Sequence, residues 1–232
     1  MRRADLELID RARHGGRPLA LVTDLRDGAQ ALVDAGSASG DLALAPAALE
    51  AVRERLRQDR SGRLEEVDAE LFVRVHAAPL RLILIGAVHV AQALIPMAEL
   101  LGYRVSVVDP RTAFATDLRF PRVLMHSAWP DAALKSLAPD RRTAVVTLTH
   151  DPKLDDPALA VALASEAFYI GALGSRRTHA ARVQRLREAG FDGAAIARIH
   201  APVGLPLGGR LPAEIAVAVL AEITQVLRAP PA

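Results

Sequence analysis

From Leu80 onward, short unbroken apolar runs alternate with segments of helical period, and this alternation constrains the fold more than any other feature of the chain. The runs are Leu82-Ile83-Leu84-Ile85, Val105-Ser106-Val107-Val108, a weaker Val123-Leu124-Met125, Ala144-Val145-Val146-Thr147-Leu148 and Phe168-Tyr169-Ile170. A strand that is apolar on both faces needs cover on both faces, which is the situation of a parallel sheet between helices. The intervening segments, Val90 to Leu101 closed by Gly102 and Pro157 to Ala164, suit crossover helices. The repeated unit is therefore βαβ. The expected class is α/β, with a Rossmann-like, mainly parallel sheet and helices on both faces.

Residues 1–77 follow another pattern and are expected to form a smaller N-terminal α/β lobe. A strand is expected at Leu19 to Leu25, a Gly/Ser/Asp turn region at Gly36 to Asp41, a helix at Pro46 to Asp59 and a strand near Glu70 to Val75. Ala77-Ala78-Pro79 is the expected junction, because the proline disfavours helix at Ala78 and interrupts strand pairing. Residues 78–232 then form the Rossmann-like domain. Its last helix, Ala213 to Leu227, opens with Pro212 at a first helical position. No internal repeat with a period of 20 to 50 residues is visible.

Composition narrows the chemistry. A chain of 232 residues with 51% hydrophobic content can bury a sizeable core. Its 29 basic and 27 acidic residues are interspersed, for a formal charge of +2, so no polyanion track is expected and nucleic acid is not an expected partner. With no cysteine, the chain forms no disulfide, offers no thiolate to a metal and carries no sulfur covalently on its own side chains. Met1 to Ala12 alternates charged with apolar residues, and no window approaches the roughly 18 apolar residues of a membrane span. A cytoplasmic protein without a membrane partner is expected.

The first strand leads into Gly86-Ala87-Val88-His89-Val90-Ala91. A dinucleotide fold places G-x-G-x-x-G/A here, and the second glycine lets the pyrophosphate approach the backbone at the helix N-terminus. Val88 occupies that second position, which argues against a standard NAD pose. Asp109 follows Gly86 by roughly the 20 residues at which such folds place the acid that binds a ribose hydroxyl. Asp109-Pro110-Arg111 reads equally as a strand-end turn with a surface ion pair, and Arg111 adds an anion contact under the first reading. His89, in the first turn of the first crossover helix, and His150-Asp151, after the fourth strand, both fall at the carboxyl ends of strands, where open parallel sheets bind ligands. Each histidine reads either as a ligand contact or as a hydrogen-bonded structural residue. His200 carries a weaker signal. The seven histidines show no metal-binding spacing, so no protein-ligated metal is expected.

After the fifth strand comes Gly174-Ser175-Arg176-Arg177. Gly174 supplies a turn and Ser175 a hydroxyl cap, and the next helix presents free N–H groups above the sheet. Arg176 and Arg177 then sit in its first turn, where the helix dipole disfavours cations. Placing two there points to an anion, with both guanidiniums and the Ser175 hydroxyl as donors. The alternative is that both arginines point into solvent on a basic helix that also carries Arg182, Arg185 and Arg187. No nucleophile elbow, Walker loop or H-E-x-x-H motif is present, so no catalytic residue is assigned. Asp151, Asp155 and Asp156 cluster after the fourth strand, but Asp155-Asp156-Pro157 also reads as a helix cap and start.

On these stretches the chain resembles the xanthine dehydrogenase accessory factor family, the XdhC/CoxI group. The matching segments are "LILIGAVHVAQALIPMAELLGYRVSVVDPR", "TAVVTLTHDPKLDDPAL", "FYIGALGSRRTHAARVQRLREAGF" and "IHAPVGLPLGGRLPAEIAVAVLAEI". The resemblance implies a maturation helper that binds the molybdenum cofactor, supports its sulfuration and delivers it to a molybdenum hydroxylase such as xanthine dehydrogenase. It further implies a homodimer and a partner cysteine desulfurase, which here must supply the sulfur because the chain has no cysteine. The cofactor ends in a phosphate or a dinucleotide, which suits a cradle of Gly174, Ser175, Arg176 and Arg177, with Gly86 and His89 across the crevice. Many members of the family that the chain resembles carry a Gly-Ser-x-Pro element after the first strand and a Ser-Gly-Gly-Cys turn soon after. This chain has "TDLRDGAQALVDAGSASGDLAL" there, with neither intact. The rival readings are an NAD(P)-dependent oxidoreductase, with Asp109 or Arg111 at the ribose and His150 as an acid, and a scaffold joining hydroxylase to desulfurase.

Overall fold

The computed structural model describes residues 3–14, 17–111, 119–121 and 123–229. The chain divides into two compact units, Met1–Pro79 and Leu80–Ala232, two residues beyond the 77/78 junction expected from sequence.

In the first unit, α1 (Arg3–Arg13) precedes β1 (Leu19–Asp24), β2 (Gln30–Val33), β3 (Ala38–Gly40), α2 (Pro46–Arg57), β4 (Gly62–Leu64) and β5 (Asp68–His76). The strands form one antiparallel sheet in the order β3-β2-β1-β5-β4. Alternate side chains divide between its faces. Ala20, Val22, Val33, Leu71 and Val73 form a core with Ala48 and Val52 of α2, while Leu19 and Leu32 meet Ile9 and Ala12 of α1. The α1 helix was not anticipated from sequence. Neither was β3, whose three residues are all exposed and so carry no apolar pattern.

The second unit runs β6 (Arg81–Ile85), α3 (His89–Leu100), β7 (Arg104–Val108), β8 (Leu124–His126), α4 (Pro130–Leu137), β9 (Thr143–Thr147), α5 (Pro152–Leu163), β10 (Tyr169–Ala172), α6 (Arg176–Glu188), α7 (Gly193–Ile196), β11 (Ile199–His200) and α8 (Pro212–Arg228). Its sheet is parallel throughout, in the order β11-β10-β9-β6-β7-β8. The unbroken apolar strands follow from cover on both sides. Leu82, Leu84, Val105, Val107, Ala144 and Val146 face a core shared with α3 and α8, and Ile83, Ile85, Val145, Ile170 and Ala172 face α4, α5 and α6. Among the described residues no helix is long and apolar enough to cross a membrane.

One expected helix start is corrected. The segment read as Pro157 to Ala164 begins at Pro152, because the Asp151 carboxylate caps it by accepting the Lys153 N–H at 2.9 Å and Pro152 sits in its first turn. Asp155 and Asp156 are therefore interior residues, and Pro157 lies within the helix at the cost of one i→i−4 hydrogen bond.

Candidate functional site

A parallel sheet sends the carboxyl ends of all its strands to one edge, and ligands of such sheets bind where the strand order reverses. Here the reversal lies between β6 and β9, and β7, β6, β9 and β10 are consecutive in the sheet. The turns that follow these four strands are thus neighbours. Gly86 and His89 follow β6, Asp109 and Arg111 follow β7, His150 and Asp151 follow β9, and Gly174, Ser175, Arg176 and Arg177 follow β10. All ten candidates therefore lie along one edge of one sheet.

The turn after β6 is built for close contact. Gly86 has φ 115°, and a Cβ there would stand 2.6 Å from Cγ2 of Thr149 in the turn after β9. Its N–H donates to the Val108 carbonyl at 2.9 Å. Val88 then caps α3 without a side-chain hydrogen bond and packs, half-buried, against the core on the α3 side of the sheet. His89 is exposed at the first position of the helix.

Asp109 is fully buried, and its carboxylate is occupied by its own chain. Oδ2 accepts the Ala87 N–H at 2.8 Å and Arg111 Nη2 at 2.8 Å, while Oδ1 accepts the Arg111 N–H and Nε, both at 2.9 Å. A carboxylate has about four acceptor positions, and these four donors fill them. The ribose-binding role considered for Asp109 thus gives way to a strut between the turns after β6 and β7. The ion pair is also not the surface pair of the alternative reading, since its acid is buried. Burial alone would raise the carboxyl pKa, but the hydrogen bonds from Arg111 and from the Ala87 N–H outweigh it and hold the group below its ordinary value. The same pairing raises the Arg111 pKa.

The turn after β9 is pinned around His150, a non-glycine residue at φ 61°. The Thr149 hydroxyl accepts the Asp151 N–H at 3.1 Å, and Asp151 is the cap of α5. The His150 side chain is exposed.

In the turn after β10, Gly174 has φ 142°, and its bare Cα lies against Thr178. Ser175 Oγ caps α6 by accepting the Thr178 N–H at 3.1 Å and sits 3.0 Å from Thr178 Oγ1, so the hydroxyl expected to serve an anion is engaged within the turn. Arg176 and Arg177 are exposed, and neither side chain makes an ion pair or hydrogen bond with the described residues. Two unpaired guanidiniums beside first-turn N–H groups offer donors and positive potential to an anion. Among the described residues no group of three or more His, Asp or Glu side chains is arranged to hold a metal.

The basic helix is less solvated than its charge suggests. Arg182 is 1% exposed and donates from Nη2 to the Leu173 carbonyl at 3.0 Å, while Arg185 binds Asp156 through Nε and Nη2. The sequence places Asp155 in a carboxylate cluster after the fourth strand and Arg182 on a basic helix, but does not assign Thr149, Asp155 or Arg182 to this edge. A helical-period reading finds the last two, because Asp155 shares a face with Ala158, Leu159 and Ala162, and Arg182 shares one with Leu186.

Residues 82–223 match the family model described as the XdhC Rossmann domain. The chain is 42% identical over 87 residues to the molybdenum cofactor insertion chaperone PaoD of Escherichia coli K12, a match covering 38% of this chain and 27% of that protein. It is 34% identical over 153 residues to a probable xanthine dehydrogenase subunit from Bacillus subtilis 168, covering 66% of this chain and 44% of that protein. The chain thus spans between 27% and 44% of the length of these curated relatives. A crystal structure of a xanthine dehydrogenase from Bacillus halodurans superposes with a TM-score of 0.72 at 23% identity, covering 97% of this chain and 64% of that one, and shares its fold.

Proposed function

Because the chain belongs to the XdhC Rossmann-domain family, we propose that it is an accessory factor that binds the molybdenum cofactor and delivers it to a hydroxylase of the xanthine dehydrogenase kind. The names of its relatives, a molybdenum cofactor insertion chaperone and a xanthine dehydrogenase subunit, support that reading. Arg176 and Arg177 carry it: both lack partners among the described residues, at a helix N-terminus on the ligand-binding edge of the sheet.

In this reading the phosphate end of the cofactor meets the two guanidiniums and the first-turn N–H groups of α6, with Gly174, at φ 142°, forming the turn that presents them. His89 and His150, exposed on the neighbouring turns, and Gly86 line the remainder, while Asp151 fixes the start of α5. Asp109 and Arg111 hold the turns in place from below. Support of sulfuration belongs to the same proposal, and because this chain has no cysteine the sulfur comes from a partner cysteine desulfurase. So do a cytoplasmic location and a homodimer.

One observation favours a second reading. With β6 taken as first, the strand order is that of dinucleotide-binding folds, which supports an NAD(P)-dependent activity. Against it stand Val88 in place of the second glycine and the four donors on Asp109. The test is to purify the protein from a molybdopterin-producing host, denature it, measure the fluorescent oxidised pterin released, and titrate the native protein with NADH and NADPH. Near-stoichiometric pterin is the expected result. Turnover of reduced nicotinamide without pterin would favour the second reading, and neither would leave a scaffold that joins hydroxylase to desulfurase.

A further inference from the structure

Beneath the turns after β9 and β10 lies a pair of opposite charges sealed from solvent. The side chains of Asp155 on α5 and Arg182 on α6 are each 2% exposed, yet Arg182 Nη2 stands 3.6 Å from Asp155 Oδ2, too far for a hydrogen bond. Asp155 Oδ2 and Arg182 Nε and Nη1 have no hydrogen-bond partner, and neither has Nδ1 of His179, one turn before Arg182. Buried polar atoms of this kind are ordinarily met by ordered water. An incompletely bonded buried ion pair adds little to stability compared with well-packed apolar residues of the same size, so stability is not a sufficient reason for it.

What the pair does touch is more informative. Asp155 Oδ1 accepts the Thr149 hydroxyl at 2.7 Å, and that hydroxyl in turn accepts the Asp151 N–H, closing the turn that holds His150 at its positive φ. Thr149 Cγ2 is the atom against which Gly86 must lack a side chain. On the other side, Arg182 Nη2 donates to the Leu173 carbonyl, immediately before Gly174 and Ser175. An unbroken series of contacts therefore runs from Gly86 through Thr149, Asp155 and Arg182 to Leu173, and it links three of the four turns at the sheet edge.

We propose that Asp155 and Arg182 are positioning residues: a buried ion pair that sets the turn after β9 against the turn after β10 and so fixes the spacing of the candidate site. Neither residue contacts the ligand. The effect on ligand binding rests on the function proposed above, but the effect on the turns does not. Burial raises the Asp155 carboxyl pKa and lowers that of the Arg182 guanidinium, and the attraction between the two charges opposes both shifts without outweighing them.

The test compares Arg182→Met and Asp155→Leu, singly and together, with inorganic pyrophosphate as the ligand probe. Each single variant leaves one buried charge unpaired and melts well below the parent, whereas the double variant regains most of the melting temperature. If the pair positions the site, the double variant still binds pyrophosphate about tenfold more weakly by calorimetry. Its amides at residues 173–178 also exchange faster than those of the parent. A double variant with parental affinity and parental exchange would overturn the proposal. If the parent does not bind pyrophosphate, the functional reading fails, and the exchange comparison alone decides the positioning role. Should the double variant not fold, Thr149→Val, which removes only the linking hydroxyl, is read in the same way: faster exchange at residues 149–151 supports the link, and unchanged exchange overturns it.

Discussion

The carboxylate of Asp109 accepts Nε and Nη2 of Arg111 on its two oxygens while also taking the Ala87 N–H, so one buried acid joins two turns. Asp109→Asn removes the charge and leaves at least one donor facing an amide. Because the Arg111 side chain is 37% exposed, screening reduces the loss to about 2 kcal/mol in a urea unfolding series. The sign with pH follows from the depressed pKa of Asp109 in the fold: its contribution is complete above the unfolded value of about 4 and is lost as pH falls through the lower folded value. The acid limb of the stability profile is therefore expected to be shallower in Asp109→Asn than in the parent.

Gly86→Ala places a Cβ 2.6 Å from Thr149 Cγ2 on a backbone at φ 115°. Either the turn after β6 or the turn after β9 must move. A loss of about 2 to 3 kcal/mol is expected from the combined backbone strain and overpacking, read as a lower melting temperature. Parental stability would mean that the turns are not in close contact.

The two tyrosines of the chain, Tyr103 and Tyr169, are both buried. Burial raises both pKa values, and for Tyr169 the hydrogen bond to Glu222 raises it further. The neutral phenols thus contribute stability that is fully present below the unfolded value of about 10 and is lost as pH rises through the higher folded values. Absorbance at the phenolate band is expected to stay flat past pH 10 and then rise together with unfolding. A free titration centred near pH 10 in the folded protein would contradict the packing of both rings.

Ser175→Ala removes the cap of α6, whose oxygen accepts the Thr178 N–H. The expected cost is about 1 kcal/mol, with faster amide exchange confined to the first turn of that helix.

Five of the six strands were legible: β6, β7, β9 and β10 are largely buried on both faces and leave a strong apolar run, β8 is exposed or half-buried and left a weaker one, and β11, with two residues, left none. The ten candidate residues could be located for the same reason, since a parallel order carries the end of every strand to one edge. The small lobe was read less completely: β3 is exposed throughout and β4 has only three residues, so neither presents a periodic pattern. The role of Asp109 was ambiguous because spacing locates a carboxylate without showing which donors fill it. The buried position of Arg182 was hidden by its neighbours, for Arg176, Arg177, Arg185 and Arg187 make the helix look uniformly basic while only the residue sharing a face with Leu186 turns inward. The start of α5 was misplaced because Asp155-Asp156-Pro157 and Asp151-Pro152 present the same acid–proline signal, and only hydrogen bonding shows that Asp151 is the cap.

In the proposed function, Arg176 and Arg177 receive the phosphate end of the molybdenum cofactor. The most direct measurement is the pterin content of the parent and of Arg176→Ala/Arg177→Ala, purified side by side from a molybdopterin-producing host. Both side chains are exposed and without partners among the described residues, so the double variant is expected to melt at or slightly above the parental temperature while its cofactor affinity falls by roughly 2 to 4 kcal/mol. Near-stoichiometric pterin in the parent and little in the variant is the predicted result; equal pterin in both, or none in the parent, would contradict it.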